Sequence, residues 1–338
     1  MDRGECQRLK AILHKGKGME GLSCSDFREP SPKAGEVRIK LKTAGLNHRD
    51  LFVLERHKPD EPELVIGSDG AGIIDAVGEG VEGLSVGQEV IINPSLGWKR
   101  NSDAPPAGHE IVGLPGHGTF AEYIVLPADN VEPKPAYLSW EEAGVFGLAG
   151  LTAYRALFTR GNVKPGMKVF IPGIGGGVAL FLLTFAKAAG ATVYVTSRSE
   201  EKRNAALELG ADRAIDSNGD WEQELGGQVD LVIESVGAAT FGKSLKQLKK
   251  GGTIVTFGSS TGDVIQLNLR DFFYGQYNML GSTLGSGEEF REMIAFAEEH
   301  KITPVIDGFH KLSEYQNAFK RLEQAKQLGK IGFWCASN

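Results

Sequence analysis

The sequence predicts an α/β protein with a doubly wound parallel sheet and a second, mostly β domain. Three observations lead to this prediction. The chain has 338 residues, enough for two domains of ordinary size. Its first 130 residues contain short strand patterns separated by glycine and proline, and after Pro165 strand patterns alternate with helix patterns. Such alternation is typical of parallel strands joined by helices on both faces of a sheet.

The composition is that of a soluble globular protein with a small-molecule partner rather than a nucleic acid. Hydrophobic residues make up 41% and charged residues 24%, and the formal net charge is −6. Basic and acidic residues are interspersed, so no field favours nucleic acid. Cys6, Cys24 and Cys335 match no zinc or disulfide spacing. We therefore expect a cytoplasmic protein.

Two segments could be mistaken for targeting or membrane elements. Residues 1–9 carry charges and lack an apolar core, so we interpret them as an extension outside the fold and not as a signal peptide. Residues 169–186 are uncharged and long enough to span a membrane. Pro172 and the glycines that follow it favour a strand, a tight turn and a buried helix instead. We predict no membrane segment.

In the first part of the chain, residues 36–42 (EVRIKLK) alternate strictly and predict a half-buried strand. No helix is expected in the first 130 residues. Further short strands are predicted at 65–66, 73–74, 90–92 and 123–125.

In the second part, capping boxes mark the helix starts. They lie at Ser139–Glu142, at Ser286–Glu289, which opens a helix to about His300, and at Ser313–Gln316, which opens the last helix. Strands are predicted at 168–171, 192–196, 230–234, 253–257 and 278–282, and helices at 178–189, 200–209 and 239–249.

A glycine turn, PGIGGG, connects the predicted strand 168–171 to an apolar helix. Glycines let a backbone approach a pyrophosphate closely, and a helix N-terminus offers unpaired N–H groups to it. The spacing does not reproduce G-x-G-x-x-G, and Ala179 stands where a last glycine would be expected. The alternative is a glycine turn that only packs a helix against a sheet.

The following strand ends in Ser197, Arg198 and Ser199, with Lys202 one helical turn further on. An NAD site usually has Asp or Glu at this strand tip to bind the ribose 2′-hydroxyl. A hydroxyl, a guanidinium and an ammonium suit a 2′-phosphate instead. We therefore favour NADP(H), with a solvated helix start capped by Ser199 as the alternative.

Six motifs follow one another along the chain: GLNHRD (45–50), GSDGAGIIDAVGEGV (67–81), GTFAEYIVLPADNV (118–131), GLAGLTAYRAL (147–157), PGIGGGVA (172–179) and GKIGF (329–333). In this order they resemble the medium-chain dehydrogenase/reductase superfamily, specifically its zinc-free, quinone-oxidoreductase-like or alcohol-dehydrogenase-like branch. The resemblance implies a GroES-like catalytic domain over residues 1–130 that returns with 302–338. It also implies a Rossmann domain over 131–301.

The resemblance also implies that both metal sites of zinc alcohol dehydrogenases are missing. Asn47, Ser68 and Leu148 fall on the Cys, His and Cys positions of the catalytic zinc and supply neither thiolate nor imidazole. Residues 97–108, which fall on the structural-zinc lobe, contain no cysteine. Asp69 is expected to orient a neighbour by hydrogen bonding.

Two other histidines could suggest a metal site. His109 belongs to a Gly-His-Glu sequence in the shortened lobe, and His117 is close to it in sequence. We interpret both as surface or hydrogen-bonding groups.

The resemblance implies direct hydride transfer from the nicotinamide. For this reaction the protein must position the cofactor and the substrate and exclude water. Asn47 and Thr152 would lie at the nicotinamide end of the cleft, with Asp50 either holding Asn47 or capping a helix. These three are the candidate catalytic residues. The candidate cofactor-binding residues are His48, Gly173, Gly175, Gly176, Gly177, Val178, Ser197, Arg198, Lys202, Val236, Gly237, Phe257, Gly258, Ser259, Ser260 and Lys330.

The expected activity is NADPH-dependent, zinc-independent hydride transfer to a quinone or conjugated carbonyl. Within the resemblance, members that reduce enoyl thioesters have a tyrosine after the first strand region. Residues 51–66 contain none, which makes dedicated enoyl-thioester reduction less favoured. The alternatives are an alcohol dehydrogenase with an atypical metal site and a non-catalytic NADPH-binding protein. A homodimer is expected, because Asn278–Ser282 would be an exposed apolar sheet edge in a monomer.

Overall fold

A computed structural model describes residues 8–335. Within that range, residues 8–149 and 285–335 form one compact unit, and Gly150–Leu284 form the other. The sequence placed the divisions after residues 130 and 301. The helix that opens at the Ser139 capping box packs in the first unit, on the strands that cover residues 36–46 and 69–77.

Both units contain β-strands as well as helices. In chain order they are β1 (Arg8–His14), β2 (Leu22–Arg28), β3 (Glu36–Leu46), β4 (Leu64–Val65), β5 (Asp69–Val77), β6 (Glu89–Ile92), β7 (Ser95–Leu96), β8 (Glu110–Ile111), β9 (Tyr123–Pro127), β10 (Val131–Pro133), β11 (Lys168–Ile171), β12 (Thr192–Ser197), β13 (Arg213–Asp216), β14 (Val229–Glu234), β15 (Leu248–Thr256), β16 (Asn278–Gly281), β17 (Ile306–Lys311) and β18 (Lys330–Trp334).

Most helices are short, and several are extended by tighter or wider turns. The α-helices are α1 (His48–Arg56), α2 (Trp140–Gly144), α3 (Gly147–Tyr154), α4 (Gly177–Ala188), α5 (Glu200–Glu208), α6 (Trp221–Leu225), α7 (Phe241–Lys246), α8 (Leu269–Gly275), α9 (Gly287–Glu299) and α10 (Tyr315–Glu323). A π-helical segment, Arg155–Arg160, continues α3, and 3₁₀ turns cover Gly18–Gly21, Ala128–Asn130 and Leu312–Glu314. In the described range no helix is both long enough and apolar enough to cross a membrane.

The sheet of the second unit has the strand order β13-β12-β11-β14-β15-β16, and each described pair in it is parallel. This is the order of a doubly wound dinucleotide-binding sheet, which confirms the predicted fold class. The order reverses between β11 and β14. Ligands of such sheets bind beyond the carboxyl ends of the strands at this point, so the turns that follow β11, β12, β14 and β15 are the candidate site.

The sheet of the first unit joins the two ends of the chain. Its order is β10-β6-β5-β3-β18-β17, with β9 also paired to β3. Antiparallel pairing of β18 with β3 sets Ile331 opposite Leu46, and pairing of β5 with β3 sets Asp69 opposite Gly45. Lys330, Asn47 and Asp69 are therefore brought to one end of the sheet. The strands enclose a core whose fully buried members include Ile39 and Phe333.

The structure corrects two predictions near the start of the chain. Helix α1 lies in a region where no helix was expected, because it has only nine residues and its buried face includes the ionisable Asp50. Its Val53 and Leu54 are buried. Residues 8 and 9 belong to β1 and are not an extension, since Leu9 pairs with Phe27 and is buried. Residues 1–7 lie outside the described range.

The helix caps were predicted correctly at two of three positions. Ser139 and Ser286 cap α2 and α9, each accepting a hydrogen bond from a main-chain N–H three residues on. The expected start at Ser313 is wrong. A 3₁₀ turn precedes α10, and its Glu314 carboxylate accepts from the N–H of Lys311 at 2.9 Å. Glu314, three residues after the N-cap Lys311, therefore provides the cap that we assigned to the serine.

Candidate functional site

Strand β3 ends at Leu46, and the next residue, Asn47, is the extended N-cap of α1. Asp50, in the first turn of the helix, accepts a hydrogen bond from the backbone N–H of Asn47 at 2.8 Å. The carboxylate thus bonds to the main chain of Asn47 rather than to its side chain. This contact is that of a helix cap, which was one of the two roles predicted for Asp50.

Lys330 enters the same place from β18, and its ammonium meets three acceptors. They are the carbonyl oxygen of Leu46 at 3.0 Å, Oδ1 of Asn47 at 2.5 Å and Oδ2 of Asp69 at 3.1 Å. An ammonium has three N–H donors, so each has an acceptor. Lys330 was predicted to bind the cofactor; the structure shows it bonded to Asn47 and Asp69 within the first unit.

Asp69 is fully buried and uses both carboxylate oxygens. Oδ1 accepts from the N–H of Leu148 at 2.5 Å, and Oδ2 accepts from Nδ2 of Asn47 at 3.0 Å as well as from Lys330. Nδ2 of Asn47 also donates to the carbonyl of Gly45 at 3.3 Å. The Asn47 amide therefore has one orientation, with its nitrogen toward Asp69 and its oxygen toward Lys330. Its Oδ1 keeps acceptor capacity for a further partner.

Asp50 is fully buried, and burial raises its pKa to about 7. Its Oδ1 has no hydrogen-bond partner among residues 8–335. The carboxyl group therefore changes charge close to neutral pH, which is typical of functional sites.

Ser68 is also buried, and its hydroxyl donates to the carbonyl of Val112 at 2.7 Å. The Arg49 guanidinium lies against it, with Nη1 3.1 Å from the Ser68 oxygen. We did not single out Arg49 from the sequence. It stands within GLNHRD, between two residues that were selected, but no spacing rule distinguishes it.

In the second unit, the glycine turn has the conformation that only glycine adopts easily. Gly173 and Gly175 have φ values of +79° and +134°. The N–H of Gly173 donates to Oγ1 of Thr196 at 3.1 Å, which ties the turn to β12. A Cβ on Gly176 would meet nothing within 4 Å. Gly176 is the N-cap of α4, so the turn presents an open face at a helix N-terminus, where anions bind. Gly177 and Val178 are the first residues of that helix.

The turn after β12 contains the residues that were predicted to recognise a 2′-phosphate. Ser197 is buried, Arg198 is exposed, and Ser199 caps α5 by accepting from the N–H of Lys202 at 3.3 Å. A Cβ on Gly175 would come within 2.7 Å of Cδ of Lys202, so the lysine side chain lies over the glycine turn. The structure therefore brings Lys202 and the glycine turn together and leaves Arg198 exposed to solvent.

The turn after β14 is organised by Glu234, which the sequence analysis missed. Its Oε1 accepts from the N–H groups of Val236 at 2.7 Å and Gly237 at 3.2 Å, and from Oγ1 of Thr240 at 3.0 Å. Its Oε2 accepts from Oγ of Ser244 at 2.5 Å. One fully buried carboxylate thus shapes the turn that contains two candidate cofactor residues. A charged residue at the end of an otherwise apolar strand, VDLVIE, was the available signal.

The turn after β15 packs against the turn after β14. Phe257 donates its N–H to the carbonyl of Glu234 at 3.2 Å, and Ser260 donates its N–H to that of Ser235 at 3.3 Å. A Cβ on Gly237 would come within 2.8 Å of Cα of Ser259. The structure therefore brings Val236 and Gly237 together with the four predicted residues 257–260. Of the other predicted site residues, Thr152 is buried on α3 and His48 is exposed at the start of α1.

The two histidines of the lobe region have hydrogen-bond partners. Nε2 of His109 lies 3.0 Å from the hydroxyl of Ser95, and Nδ1 of His117 accepts from the N–H of Val65 at 3.2 Å. Across the described residues, no three His, Cys, Asp or Glu side chains are grouped so that they could hold a metal ion.

Comparisons with known proteins match both units. The family described as alcohol dehydrogenase GroES-like domain matches residues 33–136, and the family described as zinc-binding dehydrogenase matches residues 177–299. The chain is 35% identical to the zinc-type alcohol dehydrogenase-like protein YogA of Leptosphaeria maculans, with 92% of this chain and 93% of the relative aligned. The chain belongs to the medium-chain dehydrogenase/reductase superfamily. It is thus an oxidoreductase of a pyridine-nucleotide-dependent family.

Two other similarities are informative. This superfamily member is 30% identical to an acryloyl-coenzyme A reductase of Metallosphaera sedula, over 96% of this chain and 99% of the relative. A solved structure described as an NAD-dependent alcohol dehydrogenase superimposes with a TM-score of 0.91, at 36% identity, covering 97% of this chain and 100% of the other.

The zinc implied by the family description does not fit the residues at the catalytic position. Oδ1 of Asn47 already accepts from the Lys330 ammonium, the hydroxyl of Ser68 donates to a carbonyl, and the Leu148 side chain has no donor atom. Zinc prefers thiolate, imidazole and carboxylate ligands. We derive no catalytic step through a metal.

Proposed function

We propose that this dehydrogenase/reductase is an NADPH-dependent, zinc-independent enzyme that transfers a hydride to a quinone or a conjugated carbonyl compound. The single observation that carries the proposal is the position of the Lys330 ammonium, bonded to Asn47 and Asp69 in a buried site. A metal ion bound to Asn47 would meet this cation at close range in a weakly screened environment, where like charges repel strongly.

The choice of NADPH is supported by the turn after β12. It offers Arg198, Ser199 and Lys202 and has no carboxylate at the strand tip, where NAD enzymes usually carry one. A guanidinium and an ammonium favour the additional phosphate. Because a similar structure is described as NAD-dependent, the preference of this chain for NADPH over NADH has to be measured directly.

The substrate class is supported by the chemistry that is possible without a metal. A quinone or an enal accepts a hydride because the developing negative charge delocalises onto a carbonyl oxygen, so no Lewis acid is required. A relative described as an acryloyl-coenzyme A reductase is consistent with a conjugated acceptor. Residues 51–66 contain no tyrosine, so we propose small quinones and enals as substrates in preference to thioesters.

The residues have distinct roles in this proposal. When bound, NADPH supplies the hydride. The turns after β11, β12, β14 and β15 would hold it, and the N-terminus of α4 would supply N–H groups to an anion there. Asn47 is held in one amide orientation by Lys330 and Asp69, so it contacts the substrate as a hydrogen-bond acceptor. Thr152 remains the second proposed contact, and Asp50 acts through the backbone of Asn47.

An alcohol dehydrogenase with an atypical metal site is the second candidate, favoured by the names of several relatives. One experiment separates the two. Protein purified without chelator is analysed for metal and assayed with NADPH against quinones and enals, and with NADP⁺ and NAD⁺ against alcohols. The proposal expects quinone or enal reduction by metal-free protein. Alcohol oxidation that depends on bound zinc would establish the alternative.

A homodimer is also part of the proposal. In the described sheet order β16 stands last, and its Met279 has 46% of its surface exposed. An exposed apolar edge strand is a surface that proteins usually cover, and a two-fold mate is the commonest solution.

A further inference from the structure

Arg49 lies in the first turn of α1, two residues after Asn47, and contacts only neutral groups. Nη1 donates to the Ser68 hydroxyl at 3.1 Å and to the Val112 carbonyl at 3.4 Å, and Nη2 donates to the Ile111 carbonyl at 3.3 Å. Within residues 8–335, no carboxylate forms an ion pair with it. An arginine side chain that is buried away from water is usually paired with an acid.

None of the acids around Arg49 is hydrogen-bonded to it within residues 8–335. Asp69 is paired with Lys330, so those two charges cancel. Asp50 is the neighbouring acid, but burial raises its pKa to about 7, and its Oδ2 is bonded to a backbone N–H. Burial also lowers the pKa of Arg49, and the nearby Asp50 carboxyl group opposes this shift only in part. Of the two cations Lys330 and Arg49, Lys330 therefore has a bonded carboxylate, and Arg49 has none within residues 8–335.

The unpaired donors of Arg49 lie where they can act together. A guanidinium has five N–H groups, and the described contacts use two on Nη1 and one on Nη2. The Nε–H and the second Nη2–H have no described acceptor. Those two atoms form one edge of the planar group, which binds an oxygen anion through two bonds. The side chain is only partly buried, so this edge is reachable.

Other donors of the same cluster are already used. Each of the three Lys330 protons has an acceptor, and both Nδ2 protons of Asn47 are directed to Gly45 and Asp69. The Ser68 hydroxyl donates to Val112. Among the donors of Asn47, Arg49, Ser68 and Lys330, the unused ones belong to Arg49.

We propose that Arg49 is a catalytic residue that donates its Nε–H and Nη2–H to the carbonyl oxygen of the substrate and stabilises the oxyanion formed as hydride arrives. The inference rests on the proposed function. In an enal, the hydride forms a C–H bond at the β carbon, and the C=C electron pair shifts to give an enolate. The reduced nicotinamide is oxidised. Arg49 holds the enolate oxygen until a proton from water completes the reduction at the α carbon.

The test compares Arg49→Gln and Arg49→Lys with Arg56→Gln, which changes an exposed arginine at the other end of the same helix. We expect Arg49→Gln to lower kcat about 100-fold, as for loss of an oxyanion donor. Its Kd for NADPH should stay within about twofold, because the residue contacts the substrate. Arg49→Lys should lose less, since it keeps the charge, and added guanidine should partly restore Arg49→Gln. Arg56→Gln should match the wild type.

A second readout does not depend on turnover. p-Nitrophenol is titrated into the protein with NADP⁺, and its absorbance reports whether the bound form is the phenolate. Wild-type protein should lower the pKa of the bound phenol, and Arg49→Gln should abolish that shift. Unchanged kcat together with an unchanged phenol pKa in Arg49→Gln would overturn the inference. If wild-type protein reduces no quinone or enal, the proposed function fails, and the phenol titration alone decides whether Arg49 binds an oxyanion.

Discussion

The ammonium of Lys330 lies 3.1 Å from Oδ2 of Asp69, and both side chains are at least 96% buried. The pair joins β18, close to the C-terminus of the chain, to the start of β5. It also fixes the amide of Asn47, since both charged groups bond to it. A buried pair stabilises only as a pair, because each charge alone would be buried without compensation.

Replacing one member of the Lys330–Asp69 pair should therefore lower the free energy of unfolding far more, per residue changed, than replacing both. Asp69→Asn and Lys330→Met should each lower the free energy of unfolding by about 3–5 kcal/mol. The double variant should recover a large part of the sum. As a control, Lys187→Met breaks a partly exposed pair with Asp212 and should cost below about 1 kcal/mol. Urea denaturation of the wild type and the four variants measures this. Strictly additive losses would mean that the two charges do not act as a pair.

Cofactor preference should depend on Arg198. Arg198→Ala should weaken NADPH binding by about 1–3 kcal/mol, as for a lost hydrogen bond to a charged group, and leave NADH binding almost unchanged. Arg270→Ala, an exposed arginine in the same unit, is the control and should change neither. Nicotinamide fluorescence titration of the wild type and both variants with NADPH and NADH gives the six constants. Tighter binding of NADH than NADPH by the wild-type protein would refute the NADPH assignment.

Asp50 should make stability depend on pH in a predictable direction. Its pKa is raised from 3.8 to about 7 in the folded protein, so between these values the folded state keeps a proton that the unfolded state has lost. Raising the pH through this window therefore favours unfolding, by up to ~1.4 kcal/mol per pH unit, and the effect levels off above about pH 7. Asp50→Asn does not titrate and still offers an oxygen to the Asn47 N–H.

The comparison of wild type with Asp50→Asn isolates this contribution, because the other titrating groups are common to both proteins. We expect the stability difference to shift in favour of Asp50→Asn between pH 5 and pH 8 in urea denaturation. A difference that stays constant with pH would show that Asp50 is ionised in the folded protein throughout.

The proposed dimer edge can be tested with proline at either of two neighbouring positions. The N–H of Ser282 donates to Thr256, so by the two-residue period of a strand the N–H of Leu280 also faces β15 and that of Met279 faces the open edge. Met279→Pro should remove an outward donor and give folded monomers. Leu280→Pro should break the β15–β16 ladder and destabilise the unit itself. Light scattering and thermal unfolding separate these effects. A wild-type monomer at micromolar concentration would contradict the dimer.

The sequence predicted those features that depend on neighbours along the chain. Alternation of strand and helix patterns predicted the doubly wound sheet, and the Ser139 and Ser286 capping boxes predicted two helix starts correctly. The turns that contain Gly173 and Ser197 were found because glycine content and strand ends are visible in one segment.

Features that depend on residues far apart in sequence were not predictable in this way. Lys330 is separated from Asp69 by 261 positions, and only the pairing of β18 with β3 brings them together. The role of Glu234 depends on four donors in the turn and helix that follow it, which a strand pattern does not reveal. Helix α1 was missed because it is short and because the ionisable Asp50 shares its buried face with Val53 and Leu54.

The most direct measurement follows the hydride itself in metal-free protein. Protein dialysed against chelator and shown by elemental analysis to hold no zinc is mixed with NADPH deuterated at the reactive carbon of the nicotinamide and with an enal. Mass spectrometry of the product should find deuterium on the former β carbon, at a rate that added zinc does not change. Deuterium that appears only after zinc is restored, or a product without deuterium, would contradict a zinc-independent hydride transfer.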